Sequence, residues 1–75
     1  MELTRSTLRI EVDGRPVTLQ GEALLPGYGS PDFVIFQQMT ERWEDGGTIT
    51  PQDWEAILRR VTEEAKERGL QVEVE

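Results

Sequence analysis

The chain has 75 residues and a net charge of −7, with 15 acidic and 8 basic side chains and neither cysteine nor histidine. A chain of that length makes one domain, residues 1–75, and buries only about 60% of its unfolded surface, so a partner or a second copy has stability to add. The composition excludes disulfides, cysteine-based zinc sites, thiol nucleophiles and imidazole general bases, and the charge opposes nucleic-acid binding through phosphates.

Met1 to Arg5 holds one leucine and no apolar run, so no secretory leader is expected. No stretch reaches the run of about 18 apolar residues that a membrane span requires. The expected compartment is the cytoplasm, and the lack of cysteine fits reducing surroundings. Two readings of the acidity stand side by side: plain solubility, or attraction to a basic partner.

Residues 6–12 alternate, with Leu8, Ile10 and Val12 on one side and Thr7, Arg9 and Glu11 on the other, the period of a half-buried strand. Asp13-Gly14 is a two-residue hairpin signal, and Arg15 to Leu19 forms the return strand. That turn pairs Val12 with Arg15, Ile10 with Val17 and Leu8 with Leu19, which puts both apolar sets on one face. Pro16 then opposes Glu11 with its missing N–H directed away from the first strand, as an edge position tolerates.

Pro26 to Asp32 is rich in glycine and proline. A turn explains it better than a phosphate cradle, because a strand follows and no Gly-Lys-Ser/Thr does. Tyr28 in this turn reads as a partner contact or as a side chain folded back on the core. Phe33 to Phe36 is a continuous apolar run and predicts a strand largely covered on both faces and interior to the sheet. Met39 to Trp43 fits a short strand or a helical turn, and Glu44-Asp45-Gly46-Gly47 is a loop.

Ile49-Thr50-Pro51-Gln52-Asp53-Trp54 starts a helix. Thr50 is an N-cap, Pro51 takes the first helical position, and Asp53 completes a variant capping box. Ile49 and Trp54 are spaced for a hydrophobic staple. Trp54, Ile57, Leu58, Val61 and Ala65 give one apolar stripe through to about Arg68, and Gly69 is a C-terminal stop. Leu70, Val72 and Val74 alternate with Gln71, Glu73 and Glu75 in a final strand with an acidic polar side. The expected fold class is α+β, a mainly antiparallel sheet of about four strands with one long helix on one face. The expected core is Leu8, Ile10, Val12, Val17, Leu19, the 33–36 run, Trp54, Ile57, Leu58, Val61, Val72 and Val74.

Chemistry is sparse. Ser6 and Ser30 lack a nucleophile context, and Lys66, the single lysine, suits the C-terminal end of the helix dipole. Glu41, Glu44 and Asp45 have the wrong spacing for a calcium loop and read as a solvated acidic loop. No metal, cofactor or catalytic residue is expected, and an enzyme is not. Trp43 has two readings, a core side chain beside the helix start or a partner hot spot.

The hairpin, Gly21-Glu22-x-Leu24-Leu25, the Gly/Pro turn into Phe33-Val34-Ile35-Phe36, Trp43, Ile49-Thr50 opening a charged helix, Gly69 and the terminal Val72-Glu73-Val74-Glu75 together resemble the immunity protein 74 family of bacterial polymorphic toxin systems. The similarity covers nearly the whole chain, and its motifs are short and structural. It implies a small α+β protein encoded beside a toxin, which it binds and neutralises in the producing cell. It implies no catalytic residue, and Trp43 is the family-like position. A toxin that attacks nucleic acid presents a basic groove, on which a compact acidic protein docks with electrostatic steering. The candidate contact residues are Tyr28, Glu41, Trp43, Glu44, Asp45, Glu73 and Glu75. The alternative is a small acidic interaction or regulatory module, self-associating through a sheet edge.

Overall fold

Alternating apolar side chains build the sheet, and the helical stripe covers one side of it. The computed structural model describes residues 1–25 and 29–75. Strands β1 (Glu2–Leu3), β2 (Thr7–Val12), β3 (Arg15–Ala23) and β4 (Phe33–Ile35) precede helix α1 (Pro51–Arg68), and β5 (Val72–Val74) follows it. The five strands form one sheet in the order β1-β2-β3-β4-β5. Pairing is antiparallel from β1 to β4 and parallel between β4 and β5. A parallel pair requires a crossover, which α1 supplies. The protein is therefore α+β, with five strands where the sequence suggests about four.

The β2–β3 register matches the hairpin expectation: Val12 opposes Arg15, Ile10 opposes Val17 and Leu8 opposes Leu19. Asp13 (φ 52) and Gly14 (φ 80) are both left-handed, as a type I′ turn needs. At Pro16 the far side of β3 is not open. The segment before α1 runs along it, and the Glu44 N–H donates to the Pro16 carbonyl at 3.1 Å. The proline ring nitrogen has no hydrogen to place there, so the missing donor costs nothing.

Further along β3, Gly21 pairs with Ile35. A Cβ at Gly21 would stand 2.2 Å from the Val34 carbonyl oxygen and 2.4 Å from the Phe33 ring. The ring lies where a side chain would be, so glycine is required by space.

The helix begins as the sequence predicts. Thr50 Oγ1 accepts from the Asp53 N–H at 3.0 Å, and Asp53 Oδ2 accepts from the Thr50 N–H at 2.9 Å. At the other end Gly69 (φ 69) donates to the carbonyls of Ala65 and Lys66. Ile57, Val61 and Ala65 are buried, while Trp54 and Leu58 are half-buried against the core. Ile49 and Trp43 complete the core beside Leu8, Ile10, Val17, Leu19, Phe33 and Ile35.

Three differences from expectation have local causes. The strand β1 exists because Thr4 Oγ1 accepts from the Ser6 and Thr7 N–H groups and turns the chain back onto β2. Met1 and Leu3 then pack on the core, with the Met1 amino group 2.8 Å from Glu64. The outer side of the 33–36 run is only partly covered, since Val34 is half-buried between buried Phe33 and Ile35, while β4 does lie inside the sheet between β3 and β5. Val74, expected in the core, is 44% exposed because β5 is the last strand of the sheet.

Candidate functional site

Residues 37–49 link the sheet to the helix, and they shape the surface where the candidate residues fall. A 3-10 turn spans Gln37–Met39. Buried Thr40 then accepts from the Gln20 N–H through Oγ1 at 2.8 Å, which ties the segment to β3. Beyond it a small loop closes: Trp43 N–H donates to the Gly47 carbonyl at 2.8 Å, and Ile49 N–H donates to the Glu41 carbonyl at 2.9 Å. Gly46 at φ 92 makes the turn.

Strand-like alternation sends successive side chains of this loop in opposite directions. Trp43 goes inward and is 5% exposed. Its indole Nε1–H donates to Asp53 Oδ2 at 3.2 Å, and the Arg15 guanidinium stacks 4.3 Å from its ring centroid. Asp53 thus caps the helix and holds Trp43 with one oxygen. The Thr50 N–H first, then the Trp43 indole, keep its carboxyl below the usual range.

Glu44 goes outward over the uncovered sheet face. It accepts from Arg9 Nε at 2.8 Å and from the Thr18 hydroxyl at 2.9 Å. Asp45 accepts from Arg15 Nε at 2.7 Å and from the Gly47 N–H at 2.8 Å. Both carboxyls lie below their ordinary range, mainly through the hydrogen bond from Arg9 and from Arg15 respectively. Charge on this part of the loop is therefore largely matched inside the protein.

Glu41 and Glu75 differ. They both line a cleft of about 680 Å³, together with Trp54, Ile49, Gln37 and Arg42. The Gln37 N–H donates to the Glu75 carbonyl at 3.1 Å, so the 3-10 turn and the end of β5 form one side of the cleft. Glu73 lies elsewhere, on the uncovered face, in a row with Val34 and Glu22. That same face carries Glu2, opposite Arg9, and Glu11 two residues along β2 from Arg9. Among the described residues, Glu2, Glu11, Glu22, Glu41, Glu73 and Glu75 form no ion pair, whereas Arg9 is engaged by Glu44.

The structure thus joins Glu41 to Glu75, places Glu44 and Asp45 on separate arginines, and puts Trp43 beneath the surface. Tyr28 lies outside the described residues. Sequence reasoning passed over Arg9 and Arg15, whose partners lie 35 and 30 residues away. It also passed over Trp54 as a cleft wall and over Glu2, Glu11 and Glu22. The alternation of Arg9 and Glu11 with apolar neighbours was the available signal for the latter face. No group of three or more acidic, histidine or cysteine side chains is gathered for a metal among the described residues. None of the described helices is long and apolar enough to cross a membrane.

Fold and surface together define a small sheet-and-helix protein whose distinctive exposed chemistry is unmatched carboxylate. The chain belongs to the Immunity protein 74 family, whose model matches residues 1–75. Membership makes it an immunity protein, a class that in general has a toxin for its partner and is non-enzymatic. No curated protein and no solved structure matches the chain.

Proposed function

We propose that this chain binds a cognate bacterial toxin of a polymorphic toxin system in the cytoplasm of the producing cell and blocks it without chemistry of its own. The observation that carries this reading is the set of unpaired glutamates on the uncovered sheet face and in the adjoining cleft. A surface of one sign raises the encounter rate with a surface of the other, so the toxin face it meets is basic. Glu41, Glu73 and Glu75 contact that face directly. Glu44 and Asp45, already matched by arginines, shape the loop and add less charge. Trp43 holds the loop from below.

Blockade follows from coverage. A compact body seated over a basic groove excludes substrate from it, and each charge on the groove gains a partner that substrate would otherwise supply. Co-expression with the toxin encoded beside this gene tests the reading. Cells carrying both genes are expected to grow, and cells carrying the toxin with a Glu41→Lys, Glu73→Lys, Glu75→Lys variant to arrest. Arrest of cells that also make the wild-type chain would refute the reading.

A further inference from the structure

The sheet ends in a strand whose outer edge takes no backbone hydrogen bond among the described residues. β5 is last in the strand order. On its inner side Gln71 accepts from the Phe33 N–H at 3.3 Å, and the Glu75 N–H donates to Ile35 at 2.8 Å. Alternation therefore turns the peptide groups of Val72 and Val74 the other way, toward the open edge. No bond from outside the sheet reaches either one among the described residues. The opposite edge, β1, is only two residues long.

We propose that this edge of β5 receives an extended strand of the toxin, in which basic side chains alternate with apolar ones. The inference rests on the toxin-binding reading and names how the toxin is met. An added strand gains backbone hydrogen bonds from Val72 and Val74, and its side chains set the specificity. On the helix side it meets half-buried Val72 and Val74, which is 44% exposed, so apolar residues belong there. On the other side it meets exposed Glu73, so Lys or Arg belongs there. The strand then leads to the cleft where Glu75 and Glu41 stand.

The same charges argue against a second copy of this chain. Antiparallel pairing of two β5 edges that uses both outward peptide groups of each copy, with Val72 opposite Val74, sets Glu73 against Glu73. Like charges directly opposite destabilise a pair. A charged, short edge is how sheets avoid pairing with themselves.

Val74→Pro is the variant to make. The Val74 N–H points outward, so proline removes one donor from the open edge and leaves the β4 ladder whole. Titration of the toxin domain into wild type and variant, with a thermal melt of each, reads the effect. Toxin affinity is expected to fall at least about tenfold with the melting temperature unchanged. Amide exchange on the wild-type protein gives a second reading that needs no variant: the Val72 and Val74 amides exchange freely alone and become protected in the complex. Toxin binding with these amides still exchanging freely, and with the variant binding as wild type does, would overturn strand addition alone. Failure of the wild-type chain to bind the toxin would overturn the toxin reading, and this inference with it. Protection of both amides in the free protein, rising with its concentration, would assign the edge to a second copy and overturn the proposal.

Discussion

Asp53 joins two parts of the protein with a single carboxylate. Its Oδ2 receives the Thr50 N–H at the helix start and the Trp43 indole from the preceding loop. A buried tryptophan with its N–H satisfied is both a large apolar body and a fixed point. Trp43→Ala is therefore expected to cost about 3–5 kcal/mol in urea unfolding, most of what a chain this small holds. Trp43→Phe keeps the ring but loses the indole donor and is expected to cost less; equal stability of wild type and Trp43→Ala would contradict the packing role. At Gly21 the limit is space. Gly21→Ala drives a Cβ against the Val34 carbonyl and the Phe33 ring. A loss of about 1–3 kcal/mol is expected, and it should shrink when Phe33 is also made smaller, which a double-mutant cycle measures. The capping residues around Asp53 were legible from spacing alone, because a cap uses neighbours three residues apart. The bond from Trp43 was not, because it depends on how a ten-residue loop folds back.

Among the elements, the hairpin and the helix follow from local rules, and each stands where those rules put it. Alternation with Asp13-Gly14 specifies β2 and β3 to the residue. Thr50→Ala removes one side of the capping box and is expected to lower stability by about 1 kcal/mol. The loop between β4 and α1 follows no such rule. It is held by Glu44 on Arg9 and Asp45 on Arg15, contacts between residues far apart in the chain. These carboxyls, with Asp53, are depressed in the folded protein. A depressed carboxyl stabilises the fold above its unfolded value of about 4, and that contribution is lost as pH falls through the lower native value. The urea midpoint is accordingly expected to drop as pH is taken below the ordinary carboxylate range. A Glu44→Gln, Asp45→Asn variant should show a shallower drop, and an identical acid profile for variant and wild type would contradict the loop's electrostatic anchoring. The strand β5 was legible as a strand, but its place at the sheet end was not, since strand order depends on contacts between distant segments. That is why Val74 looked like core and is exposed.

The whole molecule is a sheet with one face covered by α1 and the other lined by glutamates, and a cleft where the last strand meets the loop before the helix. Net charge announced an acidic protein; only the fold reveals which carboxylates are consumed by arginines and which remain unmatched. Glu44 and Asp45 stand among the candidate contact residues in the sequence, yet each is held by an arginine. The fold instead concentrates unmatched charge on Glu41 and Glu75 in the cleft and on Glu2, Glu11, Glu22 and Glu73 across the open face. A steered encounter through such a surface is screened by salt over a Debye length of about 8 Å at physiological ionic strength. The most direct measurement is the association rate of this chain with the purified toxin domain encoded beside its gene, taken across a range of salt concentrations. A stoichiometric complex is expected, with an association rate that falls steeply as salt rises. No complex, or a rate indifferent to salt, would contradict an acidic surface that finds and covers a basic toxin.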